Sequence, residues 1–237
     1  MNPFARVRNG HEYWSAHARV PRHKHDQAYA AIVLSGFYEE CGSLGRFRAG
    51  PGDVLLHGRF EGHLDRFGSA GARILNLIIP DSAALPRCIG RIRDADSVAR
   101  VAESDPAAAF ALLREQLSPV SVAPGDWPDM LAADLLANPE LSLGGWAYRH
   151  GLASETLSRG FRKVFAVTPA AFRTEARARK AFVQIAENVE PLAAVAALSG
   201  FSDQAHMSRA TRALTGKPPG WWRDRSNWFK TEAARPV

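Results

Sequence analysis

Polar and basic side chains recur at helical spacing near the C-terminal end of the chain, in the segment QAHMSRATRALTG. Met207, Ala210, Thr211 and Leu214 would share the inward face of one helix. The outward face then carries small polar residues and arginines, which suits a helix that enters a major groove and contacts base edges. The side chains predicted to contact DNA from this helix are Gln204, Ala205, His206, Ser208, Arg209 and Arg212.

The elements that must position these side chains are two short helices joined by a tight turn, from Pro191 to Gly216. The first helix is predicted to end at Gly200, because glycine readily adopts the left-handed conformation that ends helices. Ser202 or Asp203 can accept hydrogen bonds from the free N–H groups at the start of the second helix. This spacing predicts a helix–turn–helix unit.

A second segment, 141–165, repeats the pattern upstream. Gly151 is predicted to make the turn and Ser154 to cap the following helix, which carries Gly160 in its interior at a cost of up to about 1 kcal/mol. One long helix with a basic face is predicted over 168–187, between the two units. The residues of the first unit predicted to face DNA are Glu155, Ser158, Arg159 and Arg162.

The C-terminal part resembles the DNA-binding domain of the AraC/XylS transcription regulators. The resemblance lies in LSRGFRKVF, TPAAFR and LAAVAALSGFSDQAHMSRATRALTGKPPGWWR, and it covers residues 127–225. The sequence departs from the usual family residues at Ala153, Gly160, Ala166 and Thr211. The resemblance implies that the long helix sets two recognition helices into successive major grooves, about 34 Å apart on one face of DNA. Phosphate contacts are expected from Arg162, Arg173, Arg177, Arg212 and Lys217.

The N-terminal half has a different character. Short runs rich in Ile, Val and Leu over 28–36, 53–57 and 72–80 are bounded by Gly- and Pro-rich turns, which predicts a β-sandwich or barrel. Two helices are predicted within 94–117, and Asp105-Pro106 should open the second as N-cap and first helical residue. The narrow face of this second helix, Ala109, Leu112, Leu113 and Gln116, could cover the barrel or pair with another copy of the chain. The expected class is α+β with two domains: a cupin-like β-barrel with dimerisation-type helices over 1–117, a linker over 118–126, and an all-α domain with two helix–turn–helix units over 127–237.

Histidines form the other chemically suggestive pattern. His23 and His25 make an HxH pair, and His63 follows a Pro-Gly-Asp turn, as the metal-binding histidines of cupins do. The position of the cupin glutamate holds Tyr29 instead. We therefore expect neither a metal nor another cofactor, and any metal would use His23, His25 and His63. The residues predicted to line an effector pocket are Trp14, His23, His25, Tyr29 and His63.

Charge is uneven along the chain, whose net charge is +6. From Arg149 to Lys230 there are fourteen Lys and Arg against six Asp and Glu, which favours an anionic partner for the helical half. Cys41 and Cys88 are too few for a disulfide framework and suit a reducing cytoplasm. No segment resembles a signal peptide, and no apolar run approaches the length of a membrane span. We expect a cytoplasmic protein without a membrane partner.

The sequence predicts a bacterial-type, sequence-specific transcription regulator, activator or repressor, controlled by a small-molecule effector in the barrel. Double-stranded DNA is the expected partner, with RNA polymerase and a second copy of the chain as further candidates. The chain is not expected to be an enzyme, since motifs for nucleophilic catalysis, dinucleotide binding and phosphate loops are missing. The alternatives are a metal-dependent cupin enzyme with a helical appendage and a co-regulator that binds protein.

Overall fold

The computed structural model describes residues 4–80, 89–138, 140–187 and 190–224. Two compact units are present: residues up to 133 together with 160–166, and the remainder of the described chain. The first unit contains an antiparallel sheet and the second is helical, as the α+β prediction requires. The limits 1–117, 118–126 and 127–237 stay predictions. Cys88 and residues 225–237 lie outside the described residues.

One antiparallel sheet contains every strand of the described residues, and two long strands form its centre. The sixth strand pairs with the first, second and third, and the third strand also pairs with the fourth and fifth. The seventh strand joins the fifth to the eighth. The strands are β1 Gly10–Trp14, β2 Arg19–Lys24, β3 Tyr29–Gly42, β4 Gly45–Ala49, β5 Asp53–His57, β6 Gly62–Ile78, β7 Ile89–Arg91 and β8 Ser118–Val120.

The predicted strands 28–36, 53–57 and 72–80 correspond to β3, β5 and β6, but β3 and β6 are much longer than predicted. The prediction ends one strand at residue 36 and begins another at 72, yet Gly36 and Gly71 both lie inside strands, with φ of 73° and 66°. A Cβ atom on Gly36 would lie 2.1 Å from the carbonyl oxygen of Gly71. These glycines allow two backbones to approach closely where the register shifts, so they do not end the strands.

Helices α1 (Ala95–Ala102) and α2 (Pro106–Gln116) pack against one face of the sheet. Asp105 caps α2 by accepting hydrogen bonds from the backbone N–H groups of residues 107 and 108, and Pro106 follows at the first helical position, as predicted. Ala109 and Leu113 are completely buried. The predicted apolar face of α2 therefore covers the sheet.

The remaining helices are α3 (Trp127–Ala137), α4 (Leu143–Arg149), α5 (Ser154–Phe165), α6 (Pro169–Glu187), α7 (Leu192–Leu198) and α8 (Gln204–Thr215). Trp146 is fully buried and donates from Nε1 to Asp134 at 2.7 Å, so its polar atom is satisfied in the core. In the described residues no helix is both long and apolar enough to cross a membrane.

Candidate nucleic-acid interface and histidine cluster

The turn between α7 and α8 has the predicted local chemistry. Gly200 follows α7 with φ of 79°, and Phe201 is buried in the turn. Asp203 is the N-cap of α8: its Oδ1 accepts from the backbone N–H of His206 at 2.7 Å. This hydrogen bond lowers the pKa of the Asp203 carboxyl, with a further contribution from Ser202. Gly216 ends α8 in the left-handed conformation.

Helix α8 has one buried and one exposed face. Its buried residues include Met207, Ala210, Thr211 and Leu214, the four placed inward by the sequence pattern. Among the residues predicted to contact DNA, His206 and Ser208 are half-buried, and the His206 ring packs edge-on against Phe201 at 5.1 Å. The exposed members of the predicted set are Gln204, Ala205, Arg209 and Arg212.

Helix α5 presents a similar face but starts differently. Leu157 and Phe161 are buried, whereas Glu155, Ser158, Arg159 and Arg162 are exposed. The prediction that Ser154 caps this helix is wrong, because Ser154 is its first residue. The N–H of Leu157 donates to the carbonyl of Ala153, so the position before the helix is an alanine without a capping oxygen.

The arginines of the two helices also differ in their partners. Arg159 Nη1 lies 3.2 Å from Glu155 Oε1 in an exposed ion pair one helical turn apart. Exposed pairs of this kind contribute only about 0–1 kcal/mol. Arg209 makes no hydrogen bond or ion pair within the described ranges. It is therefore available to an anionic partner without prior loss of a contact.

Gly160 has a packing role that the sequence did not indicate. A Cβ atom at this position would lie 2.4 Å from the Trp127 ring, closer than real Cβ contacts. The glycine thus lets Trp127 pack directly against the backbone of α5. Gly160 therefore lowers the helix propensity of α5, as the sequence predicts, but it also makes room for the Trp127 ring. Only the fold reveals this second role.

Two arginines predicted to contact phosphates already have partners. Arg173 donates to the carbonyl of Leu141 at 3.0 Å, and Arg177 pairs with Glu140 at 2.8 Å. Arg212 and Lys217 are exposed. Among these four residues, the side chains available for phosphate contacts therefore lie on α8 and in the turn after it, whereas those on α6 are already paired.

A cluster of aromatic and imidazole rings lies in the sheet-containing unit. The ring centroid of His63 lies 4.2 Å from that of His23 and 5.5 Å from that of His25. Tyr29 packs 4.8 Å from His25 and its hydroxyl lies 3.3 Å from His63 Nε2. Four of the five predicted pocket residues are thus together. Trp14 instead stacks on Phe67 at 4.8 Å and makes no ring contact with these four in the described structure.

Sequence reasoning missed two members of the cluster, His57 and Glu40. The His57 ring stacks on Tyr29 at 4.4 Å and lies 4.5 Å from His63. Its Nε2 is 3.5 Å from Glu40 Oε2. Strand alternation could have found both: His57 follows buried Leu55 by two residues in β5, and Glu40 follows buried Tyr38 by two in β3.

Burial controls the charge state of this cluster. It lowers the pKa of His25 to about 4 and that of His57 to about 3, with like-charge repulsion from neighbouring histidines adding to the effect. Burial likewise raises the pKa of Glu40 well above its usual value, and nearby Asp65 adds to this. The pKa of Asp65 rises to about 7. The imidazoles are consequently neutral at pH 7, with lone pairs available.

The sequence assigns any bound metal to His23, His25 and His63, and ligand atoms of these three side chains do lie within 4.8 Å of one another. His23 Nδ1 lies 3.0 Å from the Pro21 carbonyl and His25 Nδ1 lies 2.9 Å from the Ala5 carbonyl. Because a carbonyl only accepts, these Nδ1 atoms carry hydrogen and the Nε2 atoms have free lone pairs. The carboxylate is absent from that set, since Tyr29 contacts His63 in its place.

Burial also explains why Cys41 is an ordinary core residue. It is completely buried as a free thiol. Burial raises its pKa to about 12, with the charges around it contributing smaller effects. The side chain therefore stays protonated and unreactive.

Residues 132–225 match the family described as "Helix-turn-helix domain". This match confirms that the helical part of the chain contains a helix–turn–helix domain. Helix–turn–helix domains insert a recognition helix into the major groove. A comparison with curated proteins finds no match.

Solved structures of AraC-type proteins are loosely similar. The C-terminal domain of AraT, a response regulator from Geobacillus stearothermophilus, is 19% identical with a TM-score of 0.39, over 41% of this chain and 84% of that one. A probable AraC family regulator from Rhodopseudomonas palustris is 21% identical with a TM-score of 0.38, over 40% and 93%. Apo ToxT from Vibrio cholerae is 8% identical with a TM-score of 0.41, over 90% and 95%. Such low similarity supports no argument on function.

Proposed function

We propose that this chain is a sequence-specific, double-stranded DNA-binding transcription regulator. The observation that carries the proposal is the exposed face of α8, capped at Asp203 and bearing Arg209 and Arg212, within a matched helix–turn–helix domain. The matched domain class favours this function over a metal-dependent enzyme.

In the proposed mechanism α8 and α5 act as recognition helices in successive major grooves. Arg209 and Arg159 contact bases or backbone, since arginine can donate two hydrogen bonds to guanine O6 and N7. Small or polar neighbours allow the helix backbone to approach the base edges. Arg162, Arg212 and Lys217 contact phosphates, which fix position without reading sequence. The full proposed set is Glu155, Ser158, Arg159, Arg162, Gln204, Ala205, His206, Ser208, Arg209 and Arg212.

The test is selection from a random duplex library by the full chain, followed by affinity measurement at two salt concentrations. We expect one enriched site, bound more tightly than a scrambled duplex of equal length at both salt concentrations. Binding to both should weaken as salt rises, because counterions are released from phosphates. Equal affinity for selected and scrambled duplexes would contradict sequence-specific recognition.

We also propose that the histidine cluster receives the effector of this regulator. The support is a group of polar rings, buried at His25, Tyr29 and His63 and half-buried at His23, which a purely structural sheet face does not need. DNA affinity of the full chain should change with one member of a small-molecule and metal-ion panel. Tyr29→Phe should weaken that change, and an unaltered change would place the effector elsewhere.

The linker is proposed at 121–126, just after β8, where the described backbone is neither helix nor strand. Residues 118–120 of the predicted linker pair with β7 and are less accessible to cleavage. Limited proteolysis should cut within 121–126, and preferred cleavage elsewhere would overturn this boundary.

A homodimer and contact with RNA polymerase are proposed as for other regulators of this kind. Sedimentation of the full chain tests the dimer.

A further inference from the structure

Three buried residues with metal-ligand chemistry meet on one face of the sheet. Glu40 comes from β3, His57 from the end of β5 and His63 from the start of β6. One ligand atom from each lies within 4.8 Å of the others, and Glu40 Oε2 is already 3.5 Å from His57 Nε2. All three are at most 9% exposed, and all three line the same cavity.

One buried nitrogen of this group lacks a partner among the described residues, whereas Glu40 already accepts a hydrogen bond from Tyr38. His63 Nδ1 is buried without a hydrogen-bond partner in the described part of the chain. Buried polar atoms without partners are costly, and each such atom in a native fold requires an explanation. Glu61 lines the same cavity but accepts instead from the Gly58 N–H at 2.6 Å and the Ser43 hydroxyl at 2.8 Å.

We propose that Glu40, His57 and His63 bind one divalent transition-metal ion, of the Zn²⁺, Fe²⁺ or Co²⁺ class. Two imidazoles and one carboxylate are a common ligand set for such ions, with the remaining positions open to water or a small ligand. Ligand atoms around a tetrahedral ion lie about 3.4 Å apart, given metal distances near 2.1 Å. Side-chain adjustments of about 1 Å would close the group around the ion.

The carboxylate set is favoured over the set of His23, His25 and His63. Both sets include His63, so a single ion bound to His63 would take its other ligands from one set or the other. Glu40 gives the first set a carboxyl ligand, and a bound dication would displace the proton that burial otherwise retains there. His23 and His63 lie instead under the positive charge of Arg22, and no carboxylate completes their group. Electrostatics therefore places the ion toward Glu40 and His57.

The test uses the full chain, stripped with a chelator and titrated with Zn²⁺, without DNA. We expect one Zn²⁺ per chain, with affinity reduced by about tenfold or more in Glu40→Gln and in His57→Gln. His23→Gln is the matched control, because it removes an imidazole of the competing set. The affinity of the His23→Gln variant for Zn²⁺ should stay within about threefold of that of the unaltered chain. X-ray absorption of the Zn²⁺-loaded original chain should show two imidazoles and carboxylate oxygen.

Absence of saturable binding would overturn the proposal. So would a large loss in His23→Gln with none in Glu40→Gln, because the three histidines would then hold the ion. The absorption spectrum decides between the sets even if a variant fails to fold, since three imidazoles contradict the proposal. This inference does not rest on DNA binding, so either can fail without the other.

Discussion

Helices α5 and α8 are equal in length and similar in pattern, yet they are built differently. Leu157 and Phe161 are buried in α5, where Met207 and Thr211 take the corresponding positions in α8. Helix α8 has a side-chain cap and an arginine with no partner among the described residues, whereas α5 starts after an alanine and pairs Arg159 with Glu155. The comparison teaches that one repeated sequence pattern gives the two helices the same kind of buried face but different starts and different arginine partners.

The largest expected effect separates the two arginines on DNA. Arg209→Ala should cost about 1–3 kcal/mol of specific binding if Arg209 contacts guanine through two hydrogen bonds. Arg159→Ala should cost less, because Arg159 must first leave its pair with Glu155. The measurement is affinity of each variant for the selected site and for scrambled DNA at two salt concentrations.

Glu155→Ala serves as the control for that pair. It removes a charge that phosphates repel and frees Arg159, so binding to the scrambled duplex should tighten. Binding to the selected site should gain less, because the contact proposed for Glu155 is lost there. Equal losses of affinity in Arg159→Ala and Arg209→Ala would contradict the predicted difference between the helices. If neither change weakened binding, the two faces would not be the DNA interface.

The second prediction concerns stability of α5. Helix propensity alone favours Gly160→Ala by about 1 kcal/mol. The added Cβ would clash with Trp127, and overpacking typically costs about 1–3 kcal/mol, so we expect a lower melting temperature. Gly144→Ala is the control, since a Cβ in that helical position meets nothing within 4 Å and should stabilise. A higher melting temperature for Gly160→Ala would show that Trp127 yields without cost.

The caps give a third, smaller difference. Asp203→Ala should lower the free energy of unfolding by about 1 kcal/mol, because the His206 N–H loses its acceptor. Ala153→Asp should act in the opposite direction by supplying a cap to α5. Urea denaturation of both variants measures the effect. A neutral Asp203→Ala would mean that water replaces the cap fully.

The smallest effect is expected at the inward position where the helices differ most. Thr211 is completely buried, and its Oγ1 has no hydrogen-bond partner within the described residues. Thr211→Val keeps the shape and removes that hydroxyl, so stability should rise by up to about 1 kcal/mol. Urea denaturation would reveal the change. A clear loss of stability would show that the hydroxyl is bound, for instance by buried water.

Local chemistry made the helical elements predictable. The cap at Asp203, the turn at Gly200 and the Asp105-Pro106 start of α2 each depend on a few adjacent residues. Strand β5 was also predicted with its observed limits, since Asp53–His57 is a short apolar run between turn residues. Periodicity placed Met207 correctly because a single helix determines its inward face.

Contacts between distant segments could not be predicted in the same way. Gly36 resembles a strand end in sequence, and only its approach to Gly71 shows that β3 continues. Gly160 resembles a weak point until Trp127 is seen against it. The histidine pair and His63 were recognisable by spacing. Strand alternation would place Glu40 and His57 on a buried face, but only the pairing of three strands shows that they meet His63.

The central claim, that two helices read successive major grooves on one face of DNA, is tested most directly by spacing. Extra base pairs would be inserted between the two halves of the selected site: about 5 bp, which is half a helical turn, or about 10 bp, which is a full turn. We expect the half-turn insertion to reduce affinity to that of a single half, because the second groove then faces away. The full-turn insertion keeps both halves on the same face of the DNA, but it moves them farther apart than one chain can span. Affinity for that site should therefore be no higher than for the half-turn insertion. Unchanged affinity after the half-turn insertion would contradict the account.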